Sequence, residues 1–462
     1  MIQIDASITP KELLPLITRL FALSAKKIHL LQRSWNPHHG TPVFTVNGVY
    51  TSRGWTEWTQ GFQFGSAILQ FDATDDQEML TTGRAATVDL MASHVSHVGV
   101  HDHGFNNIST YGNLLRLMRE GRLPDDPWER AFYELALKVS GAVQASRWTD
   151  LGNGEGYIYS FNGPHSLFAD TVRSLRVLAV AHQLGHVLMG EKDRRISLLE
   201  RLIAHAYTTA RYNVYFGEGR DAYDCRGRVA HESIFNLNDG SYRCPSSQQG
   251  YSPFSTWTRG LAWILCGFAE QLEFLATVPE GDLPRGKKKA EVLSSFLTTA
   301  EAVAEFTIDQ TPADGIPYWD TAAPGLARMG DYLSRPADPF NDYEPVDSSA
   351  ALIAAQGLLR LGLYLNGRGK EKQGRRYIQA GLTVAKNVLA EPYLSLDESH
   401  QGLILHSVYH RPNGWDHVPA GKKIPCGEST MWGDYHAREL ALMVMRMAEG
   451  KTVPHFFLTP RQ

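Results

Sequence analysis

Cysteine is scarce in this chain. Four thiols, Cys225, Cys244, Cys266 and Cys426, are spread over 462 residues, and none forms a C-x-x-C pair. That scarcity excludes a disulfide scaffold, and the spacing is too loose for a structural zinc site. Scattered thiols fit a reducing compartment. Basic blocks are also missing. Forty-five Lys and Arg stand against 49 Asp and Glu, a net charge of -4, so no nucleic-acid partner is expected. No run of about 18 apolar residues occurs, so no membrane span is expected. The start, Met1-Ile2-Gln3-Ile4-Asp5, lacks the basic and apolar regions of a signal peptide. A cytoplasmic location is the expectation. Strand-like alternation and a repeat of fixed period are missing too.

Helical periodicity is what the chain does have. Leu13, Leu14, Leu16, Ile17, Leu20, Phe21 and Leu23 recur at three- and four-residue spacing within 11–33. Similar segments lie near 58–73, 77–97, 104–120, 127–146, 168–188, 193–213, 256–277, 288–308, 347–366, 371–390 and 431–448. They predict about twelve helices, separated by clusters such as Pro124-Asp125-Asp126-Pro127. The loops 148–166, 214–255, 310–346 and 396–430 are long for a compact bundle. Loops of that length are functional or disordered, and the aromatic residues in these argue against disorder. The expected architecture is all-α: paired helices closed in a ring, with a cleft at the loop end. No internal boundary stands out, so 1–462 reads as a single domain.

The most telling stretch runs from Gln249-Gly250-Tyr251-Ser252 to Trp257-Thr258-Arg259-Gly260-Leu261-Ala262-Trp263. It is a polar, aromatic loop running into a helix. Arg259 and Trp263, four apart, share one helical face. An indole stacks on a sugar ring, and a guanidinium pairs with a carboxylate. An ordinary helix start with a buried Trp explains the same residues. His101-Asp102-His103-Gly104-Phe105 places Asp102 at a loop-to-helix junction. Asp170, in Phe168-Ala169-Asp170-Thr171, opens another helix. Either Asp could simply cap its helix. Two carboxylates facing one cleft would instead form an acid–base pair, because like charges keep one of them protonated. His231 precedes Gln249 by eighteen residues. Asp314-Gly315-Ile316-Pro317-Tyr318-Trp319-Asp320 reads as loop packing or sugar contact, and Asp434 in Met431-Trp432-Gly433-Asp434-Tyr435-His436 as a cap or a cleft residue.

In this order the motifs resemble the unsaturated glucuronyl hydrolases, glycoside hydrolase family 88, from about Trp58 to Leu442. The unsaturated rhamnogalacturonyl hydrolases are a weaker match. His101-Asp102-His103-Gly104-Phe105 is similar to the family's His-Asp-x-Gly-Phe, and Asp347-Ser348-Ser349-Ala350-Ala351 and Trp432-Gly433-Asp434-Tyr435 also match. The resemblance implies an (α/α)6 barrel, an acidic oligosaccharide partner, and catalysis without metal or organic cofactor. It implies that a 4,5-unsaturated uronic acid is released by hydration of its vinyl ether. Asp170 would donate the proton and activate water, and Asp102 would hold the ring and raise the Asp170 pKa. His231, Gln249, Arg259 and Trp263 would surround the uronate, Trp58 would be a stacking platform, and His101 would stand behind them at the substrate site. Three departures stand out: Arg173 and Arg176 follow Asp170, the loop 411–430 is long, and segment 34–54 has no assigned role. Hydrolysis of saturated glucuronides on the same barrel, a non-catalytic sugar-binding protein and a sugar epimerase are the competing readings.

Overall fold

The computed structural model describes residues 1–53, 57–152 and 154–458. Helices stand where the apolar spacing puts them. We number them α1 (Leu14–Ser34), α2 (Gln60–Thr74), α3 (Gln77–Leu90), α4 (His103–Asn107, a π turn Ile108–Gly112, then Asn113–Arg119) and α5 (Pro127–Ser146). Next come α6 (Thr171–Ser174 and Arg176–Gln183), α7 (Leu198–Tyr212), α8 (Thr258–Thr277), α9 (Lys289–Asp309), α10 (Ser348–Asn366), α11 (Glu371–Val388) and α12 (Met431–Ala448).

Burial sorts the twelve into two rings. The even-numbered helices are buried nearly all round, whereas the odd-numbered ones bury a single stripe. In α1 that stripe is Ile17, Leu20, Phe21, Ile28 and Leu31, the residues whose period announced the helix. The inner helices close on themselves: α12 packs on α2, α2 on α4, α4 on α6, α6 on α8, α8 on α10 and α10 on α12. The outer helices lean on them, with α3 against α2, α5 against α6, α9 against α8 and α11 against α10. This is the expected (α/α)6 barrel. Inner helix α10 is long and apolar enough to cross a membrane, with mean hydropathy 1.3, but 89% of that window is buried inside the protein.

The expectation of no strands needs correction. Nine short strands occur among the described residues, paired as hairpins and one three-stranded sheet, 166–168 with 232–235 and 242–246. They span two to five residues each, too few for alternation to register as a pattern. One of them, Ser166–Phe168, occupies the start of the segment expected to be helix at 168–188, so α6 begins only at Thr171.

Two inner helices meet more closely than side chains allow. A Cβ on Gly104 would sit 1.9 Å from the backbone oxygen of Ser174. The Gly104 N–H also donates to Ser174 Oγ at 2.9 Å. The glycine in the 101–105 motif therefore lets the start of α4 approach α6. We expect Gly104→Ala to cost about 1–3 kcal/mol by overpacking and to lower kcat/KM, since it displaces the N-termini that carry Asp102 and Asp170. Urea denaturation with a parallel rate measurement checks both effects. Wild-type behaviour in both would show that this contact is not needed.

Candidate active site

The residues before and at the start of the inner helices converge on one cavity of about 390 Å³. Trp58, His101, Asp102, Phe105, Asp170, Gln249, Trp257, Arg259, Trp263 and Tyr409 line it. Asp347 starts α10 and bonds to Arg259. Trp432, second in α12, stacks on Trp58 with ring centroids 5.0 Å apart. All six inner-helix N-termini thus face this end of the barrel. Each carries partial positive charge, so the cavity favours an anion.

Asp102 and Asp170 stand at N-cap positions, yet neither side chain accepts a capping hydrogen bond. The capping reading fails for both. They flank one imidazole instead. His101 Nε2 is 3.4 Å from Asp170 Oδ1 and 3.6 Å from Asp102 Oδ1. The two carboxyl oxygens are therefore no farther apart than the sum of those distances. His101 Nδ1 and Nε2 and Asp170 Oδ1 are buried without a hydrogen-bond partner among the described residues. A buried polar group without a partner is costly, and here the orphaned atoms sit around a hollow.

The electrostatics reverse one expectation. Burial raises the Asp102 carboxyl, and the charge of Asp170 raises it further, against the pull of His101. Burial also acts to raise Asp170, but His101 chiefly, with His231 and Arg259, outweighs it and holds Asp170 low. Asp102 was expected to raise Asp170; in the free site Asp102 is the carboxyl that is lifted. His101 itself is raised, because Asp102 and Asp170 together outweigh its burial. The three groups form one proton-sharing unit.

Arg259 lines the cavity, but its guanidinium is engaged. Nη1 donates to Asp347 Oδ2 at 2.6 Å and to the Val408 carbonyl at 2.5 Å. Nη2 donates to the Tyr409 carbonyl at 2.7 Å and to Gln249 Oε1 at 3.1 Å. The guanidinium also lies over the rings of Trp257 and Trp432. The expectation that Arg259 pairs with the uronate is corrected: it fixes Gln249 and the 408–409 backbone. We expect Arg259→Ala to lower the melting temperature and, through loss of order at Gln249, to reduce kcat/KM. Arg259→Lys should recover little, because an ammonium cannot span this fork. An Ala variant of unchanged stability and raised KM alone would restore the direct-contact reading.

His231 does not line the cavity and is likewise corrected. Its Nδ1 accepts from the N–H groups of Gln248 and Gln249 at 3.1 and 3.2 Å. Its ring packs on Phe168 and Trp257 at 4.5 and 4.7 Å. Burial holds it down, towards the neutral form that can accept. It is a buttress for the loop bearing Gln249. Trp58 is half-buried at the wall, and its Nε1 donates to the Tyr409 hydroxyl at 3.4 Å. Trp263 closes the floor against Phe105, 4.9 Å away.

Arg173 and Arg176 lie beneath that floor. The Arg173 guanidinium sits under the Trp263 ring, 5.5 Å from its centroid. It bonds Glu270 Oε2 at 3.1 Å, Glu439 Oε2 at 3.1 Å and His436 Nε2 at 2.5 Å. Arg176 shares Glu270. Both cations are thus turned away from Asp170 and into the glutamates beneath the floor.

The remaining motifs are scaffolding. Asp434 does not cap α12, a role Thr430 takes; it accepts from Tyr50 Oη and from the N–H groups of Leu403 and Ile404, each at 2.8 Å. Asp320 holds the 249–255 loop by accepting from the Tyr251 N–H at 2.8 Å and Ser255 Oγ at 3.0 Å. Segment 34–54 forms the hairpin Pro42–Val46 with Val49–Ser52, whose turn is held by Glu428. Residue 54 lies outside the described residues. Arg53 follows the hairpin and donates to the Trp415 carbonyl at 3.1 Å. Within loop 411–430, Asp416 accepts from the N–H groups of Tyr409 and His410, and the Trp415 ring packs on Tyr409 at 5.3 Å. Tyr409 is the wall residue the motifs did not single out. The density of aromatics and histidines in 396–430 was its only signal; Phe105 and Trp257 lay inside motifs already noted. Among the described residues, no group of three His, Cys, Asp or Glu is placed to hold a metal.

No protein-family model matches the chain. It is 27% identical over 407 residues to the unsaturated glucuronyl hydrolase of Bacillus sp. (strain GL1), covering 86% of this chain and 88% of that protein. It is 24% identical over 438 residues to the unsaturated chondroitin disaccharide hydrolase of Streptococcus pyogenes serotype M1, covering 92% and 90%. Among solved structures, the unsaturated glucuronyl hydrolase from Bacillus sp. GL1 matches with a TM-score of 0.68 at 22% identity, over 96% of this chain and 99% of that one. An unsaturated glucuronyl hydrolase specific for heparin matches with a TM-score of 0.70 at 20% identity, over 95% and 100%. By sequence the chain is similar to curated unsaturated glucuronyl hydrolases along most of its length, and it shares their barrel fold.

Proposed function

We propose that the protein is a glycoside hydrolase that removes a 4,5-unsaturated uronic acid from the non-reducing end of lyase-generated oligosaccharides. The observation that carries this reading is the pair Asp102 and Asp170, free of capping duty, on either side of His101 in an aromatic cavity. Relatives described as acting on unsaturated chondroitin disaccharides, and one on heparin, support the substrate class. The uronate carboxylate is drawn to the six helix N-termini, since Arg259 is already paired.

The chemistry follows from the proton inventory. An arriving carboxylate is a like charge, and it raises the pKa of the nearby acids. Asp170, held low in the free site, thereby takes up a proton, with His101 beside it as the source. Asp170 then delivers that proton to C4 of the vinyl ether. The cation left at C5 is stabilised by the surrounding carboxylates. Water adds at C5 and gives its proton to Asp170. The hemiketal opens, freeing the remaining sugar chain. Net consumption is one water.

The test is a panel of unsaturated disaccharides from glycosaminoglycan, pectin and ulvan-type lyase digests, each followed by loss of ultraviolet absorbance. Decay on at least one, with no action on its saturated analogue, is the expected outcome. Cleavage of the saturated analogue at a similar rate would replace this mechanism with direct displacement at the glycosidic bond.

A further inference from the structure

A second cavity, of about 760 Å³, lies outside the inner ring, bounded by α1, α2, α3 and α12. It shares no lining residue with the first. Ile28, Leu31, Trp35, Phe64 and Met431 make its walls apolar. Arg438 lies among them, only 3% exposed. Its Nε donates to Ser24 Oγ at 2.7 Å and its Nη1 to Ser66 Oγ at 3.2 Å. Its Nη2 donates to nothing among the described residues, and no carboxylate comes within ion-pair distance.

Among the described residues, Arg438 has no ion-pair partner at this cavity. Asp434, one turn before Arg438 on α12, is occupied by Tyr50 and two backbone N–H groups. Lys27 is a second buried cation at the wall. It donates to Ser395 Oγ and to the carbonyls of Asp397 and His400, at 2.8–3.2 Å, and feels the Asp434, Asp397 and Glu398 carboxylates without an ion pair. Of the carboxylates, Arg438 feels Asp434 alone, and a buried cation without a paired anion is costly. Gln63 Oε1, at the same cavity, is buried without a donor. The open side is made by Trp35, Pro37, Thr82 and Ala86, all at least partly exposed.

We propose that this cavity binds a small organic carboxylate with an apolar body and a hydroxyl group. The carboxylate meets Arg438 Nη2, the body lies against Leu31, Trp35 and Phe64, and the hydroxyl donates to Gln63. The site is independent of the hydrolase site and does not rest on that reading.

The probe is 4-hydroxybenzoate, titrated into the full chain by calorimetry, with its methyl ester as the neutral control. Saturable binding is expected, with the ester weaker by roughly tenfold or more, as befits loss of a hydrogen bond to a charged group. An excess of unsaturated disaccharide should not displace it. Arg438→Gln should weaken binding by roughly tenfold to a hundredfold. Ala86→Phe, at the mouth on an outer helix, should abolish binding while turnover stays unchanged, and it decides the matter if the Arg438 variant fails to fold. Absence of saturable binding, equal binding of ester and acid, displacement by the disaccharide, or full binding by Ala86→Phe would each overturn the proposal.

Discussion

Asp170→Asn should lose essentially all turnover and still bind the unsaturated disaccharide. The amide keeps the shape of the carboxyl but can neither deliver a proton to C4 nor take one from water. General acid–base groups contribute about 10²–10⁴-fold, and here one side chain serves both transfers. Binding survives because the aromatic walls and helix N-termini are untouched. A variant retaining more than roughly a tenth of the wild-type rate would remove Asp170 from the role. The pH profile adds a second reading. For the free enzyme, kcat/KM should fall on the alkaline side as the raised Asp102 and His101 lose the protons that supply Asp170. His101→Asn removes both the cation that holds Asp170 down and the proton beside it. The alkaline limb then reports the two carboxyls alone, so it should move. An alkaline limb left in place would show that His101 does not control Asp170.

Arg173→Met should destabilise the barrel strongly. Glu270 and Glu439 are buried, and Arg173 binds both. Burial raises both carboxyls, but Arg173 first, then Arg176 and Arg360, more than offsets it and keeps them ionised. Removing one partner of such a network strands the others, at about 3–5 kcal/mol. Arg176 and Arg360 remain, so the lower end of that range is expected. Denaturant titration measures it. The triple replacement of Arg173, Glu270 and Glu439 by apolar residues should be far milder than the single change, since nothing charged is left behind. A mild Arg173→Met would mean that the two glutamates are adequately held by Arg176 and Arg360.

The barrel was legible in the sequence because its outer helices are amphipathic, and a stripe such as Ile17, Leu20, Phe21, Ile28 and Leu31 leaves a period. The break at Leu175 and the strand at Ser166–Phe168 left none, being shorter than any periodic window. Seven of the eight residues named for the site line the cavity. What could not be read was which way each polar group points. Arg259 and Arg173 both fall near helix starts that face the site. One is turned into Asp347, 88 residues on, and the other into Glu270 and Glu439. Partners that far along the chain are invisible to local spacing. The same limit hid Tyr409, whose position depends on a loop pinned by Asp416 and Arg53.

Trp263, with the Arg173 network packed beneath it, seals the barrel axis below the two carboxylates. With that floor in place, substrate enters from the loop end of the barrel. On the proposed function it is a chain end, not a mid-chain segment, that is presented to Asp170. The detached uronate must also retreat through the opening by which it came, past the shortened chain still at the threshold. Each round therefore requires that both products clear before another end can enter. Because the remaining chain has no second unsaturated ring, each substrate should be shortened once, with one uronate released per chain consumed.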